Sequence, residues 1–296
     1  MIFIQTCSIK INLTLRVLGR RDDGYHNVIS AYVKLSSPEV LRITPQQAGE
    51  DEVFVHGTAI PGDPKKNILY NACSMLRVHA PSLPPLRIDL YKYLPPGSGI
   101  GAGSGNAAAL VEWFERSAYA GAGRLDVRTL ARLGADVAFL ASGGDLLLAE
   151  GIGEELSPIG DAPDLTAAIF FPKWRSNTVE AYAAIDRLRT DGAGAMTAAD
   201  AKEETFSTLR ALRAGEKTGL LPNDFISCMS RWESCYNSFY KVLDDCGALA
   251  WGLCGSGSSC FGLFRRNEVR KRLAALDTEV TAASGFDWIE QTLVVE

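Results

Sequence analysis

The chain has 296 residues, of which 47% are hydrophobic and 22% are charged. That length is enough for two compact domains, and that hydrophobic content can supply their cores. The formal net charge of −5 disfavours a nucleic-acid binder that relies on a broad basic face. No apolar run reaches the length of a membrane span, because Lys10 interrupts the apolar start. That start also lacks the basic region and cleavage site of a signal peptide.

The cysteines and histidines predict neither a disulfide framework nor a protein-held metal. The seven cysteines form no C-x-x-C pair, so we expect reduced thiols in a cytoplasmic protein. The three histidines, His26, His56 and His79, show no metal-ligand spacing.

The predicted elements mix strands and helices without a regular βαβ rhythm. In chain order they are strands at 9–17, 33–44, 53–57, a helix at 67–79, a strand at 86–90, helices at 107–118 and 125–141, strands at 145–149 and 167–171, helices from Val179 and from Asp200, strands at 248–253 and 259–264, a helix at 267–276, and a strand at 288–295. This mixture predicts an α+β fold. A stretch at 151–164 rich in glycine, proline and acidic residues predicts a boundary between a domain of residues 1–158 and one of residues 159–296.

A glycine cluster follows the strand at 86–90 and leads into the helix at 107–118. It consists of Pro95, Pro96, Gly97, Ser98, Gly99, Ile100, Gly101, Ala102, Gly103, Ser104 and Gly105. Glycines let backbone N–H groups approach a polyphosphate, and a helix N-terminus adds unpaired donors and a favourable dipole. We therefore predict that this segment binds phosphates, and Ser104 is suited to cap the helix.

Three other interpretations of the glycine cluster explain less. A Walker A loop ends in Gly-Lys-Ser/Thr, whereas Asn106 follows Gly105 here. A dinucleotide fingerprint is present as Gly97, Gly99 and Ala102. However, the helix that follows it leads into more helix rather than into the second strand of a βαβ unit. A flexible linker would not need a strand before it and a helix after it.

Several other residues keep two interpretations on local sequence alone. Asp136 lies among small and apolar residues and is either a helix N-cap or a general base at a phosphoryl acceptor. Lys10 is either a solvated strand lysine or a cation that holds a carboxylate or a substrate hydroxyl. Tyr25 and His26 either decorate a loop or stack on and hydrogen-bond a base. A second glycine cluster at 255–258 is either a tight turn or part of a site.

Taken together and in this order, four segments resemble the GHMP kinase superfamily over essentially the whole chain. They are Lys10-Ile11-Asn12-Leu13 with Gly19–His26, the glycine cluster continued to Ala107, Gly134–Val137 with Ser142–Gly144, and Gly255–Ser258. The resemblance implies a two-domain α+β kinase with a ribosomal-S5-like N-terminal domain and a ferredoxin-like C-terminal domain. The glycine cluster departs from the family's pattern at Ser98, Ala102 and Gly105.

The same resemblance implies the chemistry. It implies an ATP-dependent phosphotransferase with an alcohol acceptor, with Mg²⁺ arriving with ATP, acting in the cytoplasm as a monomer or homodimer. The N-terminal signature implies that the acceptor is the 2-hydroxyl of a cytidine diphosphate-linked methylerythritol, in non-mevalonate isoprenoid precursor biosynthesis. The alternatives are a GHMP kinase for another small alcohol, of homoserine or mevalonate type, and a non-catalytic nucleotide-binding relative.

The resemblance finally implies a role for each matched residue. Asp136 would take the proton of the acceptor hydroxyl, and Lys10 would orient and polarise that hydroxyl. The glycine cluster from Pro95 to Gly105 would hold the ATP phosphates, with Asn67 and Lys92 near the adenosine. The residues implied on the substrate side are Asn12, Tyr25, His26, Thr178 and Tyr182, of which Tyr25 and His26 would meet the cytosine.

Overall fold

The computed structural model describes residues 1–121, 124–189, 196–229, 232–268, 272 and 286–295. The chain divides into two compact units, each assembled from separate segments. The first unit comprises Met1–Lys10, Lys34–Pro96 and Gly101–Gly144, and the second comprises Ile11–Val33, Gly97–Ile100 and Asp145–Glu296. The domain boundary at residues 158 and 159 stays a prediction.

Strands and helices are interspersed along the described chain. The strands are β1 (Phe3–Arg20), β2 (His26–Pro45), β3 (Glu52–Gly57), β4 (Leu86–Lys92), β5 (Leu146–Glu150), β6 (Glu155–Pro158), β7 (Leu165–Pro172), β8 (Gly219–Leu220), β9 (Ala250–Leu253), β10 (Cys260–Arg265) and β11 (Ile289–Val295). The helices are α1 (Ile68–His79), α2 (Ala102–Arg116), α3 (Val127–Ala131), α4 (Ala135–Ala141), α5 (Thr178–Leu188), α6 (Ala198–Arg213) and α7 (Glu233–Asp245). No helix of the described residues is long and apolar enough to cross a membrane.

The first unit contains a sheet formed by β3, β4 and the end of β2, together with helices that pack against one another. β4 pairs parallel with β3 and antiparallel with β2, in a register that sets Leu41 opposite Leu90. α2 packs against both α1 and α4, and the core includes the fully buried Phe114 and Phe139. Asn67, one of the residues predicted to contact ATP, is the N-cap of α1, and its Oδ1 accepts a hydrogen bond from Leu69 N at 3.1 Å.

The second unit holds a five-stranded sheet in the order β11-β7-β10-β9-β8. Every pairing in it is antiparallel except that of β8 with β9. α7 buries one face in this core through aromatic and aliphatic side chains at helical spacing, namely Tyr236, Phe239, Tyr240 and Leu243. Residues 30–33 of β2 pair with β5, which in turn pairs with β6.

The α+β class is confirmed, and the differences from the predicted elements are local. β1 and β2 extend well beyond the predicted limits, and α2 begins at Ala102, inside the glycine cluster. β6 lies in the stretch that predicted a domain boundary, because strand pairing with β5 outweighs its turn-rich composition. α7 was not among the helices predicted from the sequence. The helix predicted at 267–276 lies mostly outside the described residues.

Candidate active site

Lys10 and Asp136 form an ion pair in the first unit. Lys10 Nζ lies 3.8 Å from Asp136 Oδ1, and the side chains are 6% and 31% exposed. A lysine this deeply buried needs an anionic partner, so the solvated alternative for Lys10 is wrong. Asp136 is the second residue of α4, while Gly134 holds the N-cap position, so the N-cap alternative is also wrong.

Gly101 brings the start of α2 against this ion pair. Its φ of +68° favours glycine. A Cβ on Gly101 would lie 3.2 Å from Asp136 Oδ2 and 3.5 Å from Lys10 Cγ. α2 begins at the next residue and has no side-chain cap, so its first-turn N–H groups remain suited to an anion. Ser104, which we predicted to cap the helix, is instead its third residue.

The departure at Gly105 has a packing reason. A Cβ there would lie 1.8 Å from Ser8 O, so α2 crosses β1 in direct backbone contact. Ala102, by contrast, is accommodated as the first residue of the helix and is only 5% exposed. A Cβ on Gly103 would meet nothing within 4 Å.

Lys92 lies in the interior of the first unit. It is 1% exposed, and its Nζ donates to Glu39 Oε1 at 2.9 Å. Glu39 also accepts hydrogen bonds from Leu94 N at 3.0 Å and from Asn106 Nδ2 at 2.7 Å. This enclosed network indicates that Lys92 has a structural role, because its ammonium group is bonded to Glu39 in the interior instead of facing a bound adenosine.

In the second unit, the two glycine clusters pack backbone to backbone. Gly99 has a φ of +86°, and a Cβ there would lie 2.2 Å from Cys254 O and 2.6 Å from Gly257 O. Ser259 N donates to Ser98 O at 3.1 Å. The second cluster is therefore the tight turn between β9 and β10, and it also supports part of the predicted phosphate-binding segment.

Asn12 anchors this turn to β1. Its Oδ1 accepts a hydrogen bond from Gly255 N at 3.0 Å, and its Nδ2 donates to Ser30 Oγ at 2.8 Å. Thr178, at the start of α5, hydrogen-bonds through Oγ1 to Ser256 Oγ at 3.1 Å. These bonds give Asn12 and Thr178 positions beside the turn, and their contacts with substrate stay predictions.

An aromatic cluster supports the turn from the core of the second unit. Trp174 stacks on Trp232 with ring centroids 4.0 Å apart. Tyr236 donates through its hydroxyl to Ser258 O at 2.7 Å, and Ser258 Oγ donates to Trp174 O at 2.8 Å. Burial raises the pKa of Tyr236, so the phenol stays a neutral donor. No pattern in the sequence indicated that these aromatic residues support the turn.

His26 and Tyr182 are brought together in the second unit. His26 is 8% exposed, and its ring stacks on Tyr182 with centroids 4.7 Å apart and an interplanar angle of 21°. Its Nε2 lies 2.7 Å from Asp186 Oδ1, a residue that sequence analysis missed. The available signal was the spacing of four between Tyr182 and Asp186, which places both on one face of α5. Tyr25 is 60% exposed in the turn before β2.

Comparison with known proteins agrees with this architecture. The family described as "GHMP kinases N terminal domain" matches residues 67–149, and "GHMP kinases C terminal" matches residues 236–281. A 4-diphosphocytidyl-2-C-methyl-D-erythritol kinase of Nitratidesulfovibrio vulgaris is 34% identical over 268 residues, which cover 88% of this chain and 89% of that protein. The chain belongs to the 4-diphosphocytidyl-2-C-methyl-D-erythritol kinase family.

Solved structures place the chain among GHMP kinases as well. A crystal structure of a 4-(cytidine 5'-diphospho)-2C-methyl-D-erythritol kinase superposes with a TM-score of 0.76 at 26% identity, covering 99% of this chain and 98% of that one. A homoserine kinase from Cytophaga hutchinsonii has a TM-score of 0.71 at 15% identity, covering 100% of this chain and 94% of that one, and so shows the fold alone. The predicted GHMP kinase fold is confirmed, and the chain is an ATP-dependent kinase.

Proposed function

We propose that the chain transfers the γ-phosphoryl group of ATP to the 2-hydroxyl of 4-diphosphocytidyl-2-C-methyl-D-erythritol, a step of the non-mevalonate route to isoprenoid precursors. The observation that carries the proposal is the Lys10–Asp136 ion pair beside the uncapped start of α2. A carboxylate, an ammonium group and helix N–H donors are the groups that an acceptor hydroxyl and a phosphate require. The relationship to the 4-diphosphocytidyl-2-C-methyl-D-erythritol kinase of N. vulgaris supports this substrate.

In the proposed mechanism, the protein mainly positions and stabilises the reacting groups. Asp136 accepts the proton of the 2-hydroxyl while the hydroxyl oxygen bonds to the γ-phosphorus of ATP. The bond between the γ-phosphorus and the β,γ-bridging oxygen breaks, and ADP leaves. Lys10 orients the Asp136 carboxylate through their ion pair and polarises the hydroxyl. The segment from Gly97 to Gly105 holds the ATP phosphates through backbone N–H groups.

Mg²⁺ bound to the ATP phosphates would offset their charge. Within the described residues, no group of three or more His, Cys, Asp or Glu side chains is placed to hold a metal ion. In kinases, Mg²⁺ usually keeps several waters and is bound through one or two carboxylates together with the substrate phosphates.

The substrate-side residues have complementary chemistry for a cytosine-linked acceptor. Tyr25, His26 and Tyr182 offer aromatic faces and ring nitrogens for a base. Asn12 and Thr178, which flank the turn between β9 and β10, would meet the rest of the substrate. A cytoplasmic location and a monomeric or homodimeric state stay predictions.

The test is ATP consumption by the purified protein with Mg²⁺ and each of three alcohols. We expect turnover with 4-diphosphocytidyl-2-C-methyl-D-erythritol and none with mevalonate or homoserine. Turnover with another alcohol would keep the kinase class and overturn the substrate. ATP binding without any turnover would favour the non-catalytic alternative. Tyr25→Ala and His26→Ala should each weaken substrate binding, and unchanged affinity in both would remove the base contact from the proposal.

A further inference from the structure

We propose that Asp186 is a positioning residue that fixes the tautomer of His26 and thereby makes the kinase prefer cytosine over uracil in its acceptor. The inference rests on the proposed function, since it concerns the base of that acceptor. It assigns a role to a carboxylate that the sequence did not single out and that the phosphoryl transfer itself does not use.

The geometry around His26 leaves its ring little freedom. Asp186 Oδ1 lies 2.7 Å from Nε2, and the ring face stacks on Tyr182. Tyr182 and Asp186 lie one turn apart on α5, so a single helix presents both contacts. The side chain is also 7% exposed, and a half-turn about its Cβ–Cγ bond would take Nε2 away from Asp186 and break the hydrogen bond.

α5 is itself anchored at both ends. Asn177 caps its start through Oδ1, which accepts hydrogen bonds from Val179 N at 2.9 Å and Glu180 N at 3.2 Å. Arg189, which follows its end, donates through Nη2 to Asp224 Oδ2 at 2.6 Å. These contacts fix the helix, and with it the position of the Asp186 carboxylate.

The carboxylate dictates which ring nitrogen carries the proton. An ionised carboxylate only accepts hydrogen bonds, so Nε2 of His26 must be the donor. In the neutral imidazole, Nδ1 is then an acceptor. Within the described part of the chain, the hydrogen bond to Asp186 is the one polar contact of the His26 ring, which leaves Nδ1 for a ligand.

An acceptor at Nδ1 distinguishes the two pyrimidines. Cytosine presents an amino group at position 4, which donates to such an acceptor. Uracil presents a carbonyl oxygen at the same position, and two acceptors facing each other form no hydrogen bond. The opposite tautomer would donate from Nδ1 and would suit the uracil carbonyl. Asp186 therefore biases His26 towards cytosine.

The experiment compares Asp186→Asn with the wild type on two acceptors, the cytidylyl substrate and its uridylyl counterpart, at about pH 8, where histidines are usually neutral. A carboxamide keeps the size and a hydrogen bond but can donate or accept, so it permits both tautomers. We expect the cytidylyl preference in kcat/KM to fall by about tenfold or more, mainly through KM. Both kcat and the KM for ATP should stay unchanged. Glu180→Gln, which removes the same charge from the same helix, should retain the wild-type preference.

A spectroscopic readout separates positioning from a merely structural role. In ¹⁵N-histidine NMR, His26 should show the Nε2-protonated tautomer in the wild type and a mixture in Asp186→Asn, with His26→Gln identifying the signals. An unchanged preference and tautomer in Asp186→Asn would overturn the inference alone. So would a wild type that uses both acceptors equally well. A wild type that phosphorylates neither acceptor would overturn the proposed function, and this inference with it.

Discussion

Lys10 Nζ and Asp136 Oδ1 lie 3.8 Å apart, within ion-pair range but beyond the length of a hydrogen bond. The lysine is almost fully buried while the carboxylate is 31% exposed. The two charges therefore hold each other without sealing the carboxylate from a ligand. In enzymes without substrate, catalytic hydrogen bonds are often long and tighten only in the complex.

This pair should behave as one functional unit. We expect Asp136→Asn and Lys10→Met each to lower kcat by about 100- to 10,000-fold. The double variant should be hardly slower than the slower single variant, because groups that act together are not additive. Steady-state kinetics on all three variants provides the test. Losses that multiply in the double variant would show that the two residues act independently.

Gly99 should contribute strongly to the stability of the folded protein. In Gly99→Ala, the Cβ would meet two carbonyl oxygens within 2.6 Å at a φ of +86°, so we expect the free energy of unfolding to fall by about 2 kcal/mol or more. Gly103→Ala is the matched control, because its Cβ meets nothing and alanine favours the helix. Urea denaturation compares the two variants. Equal stability would contradict the close approach of the two glycine clusters.

Lys92 should matter for stability rather than for ATP. Lys92→Met leaves the buried carboxylate of Glu39 without its cation, and breaking such a pair costs about 3–5 kcal/mol. Lys66→Met, on the exposed surface of the same unit, should leave stability unchanged. Chemical denaturation and the KM for ATP are measured together. A stable Lys92→Met protein with a raised KM for ATP would restore the role first predicted from sequence.

Asp89 should make the free energy of unfolding depend on pH in the acidic range. Burial raises the pKa of this carboxyl, but hydrogen bonds from His56 and Arg87 outweigh burial and lower it overall. A carboxyl whose pKa is lower folded than unfolded stabilises the protein above the unfolded pKa, about 3.9, and that stabilisation is lost as pH falls through the folded pKa. The stability difference between wild type and Asp89→Asn should therefore shrink below about pH 4. A difference that is constant between about pH 6 and pH 3 would contradict this coupling.

Sequence reasoning located the segments of the site better than their contacts. The alternation in β1 and the glycine cluster were sufficient to place Lys10 on a strand and the predicted phosphate-binding segment at the start of a helix. The sequence could not show that Gly101 packs against Asp136, because that contact joins segments far apart in the chain. Burial of Glu39, which is 0% exposed, was equally hidden, since a charged strand residue is usually solvated.

One helix was predictable and was missed. The buried residues of α7 recur at intervals of three and four, at Tyr236, Phe239, Tyr240 and Leu243, which is the helical pattern. The polar residues between them masked that stripe. Asp186 illustrates the converse limit, because its spacing from Tyr182 was readable but nothing in the sequence indicated that His26 lies against both.

The most direct test of the account identifies the phosphorylated product by ³¹P NMR after reaction with ATP, Mg²⁺ and 4-diphosphocytidyl-2-C-methyl-D-erythritol. We predict a new phosphomonoester on the 2-hydroxyl, formed in equal amount with ADP, and almost none with Asp136→Asn. A phosphate on another oxygen, ADP formed with free phosphate alone, or an undiminished Asp136→Asn reaction would contradict the account.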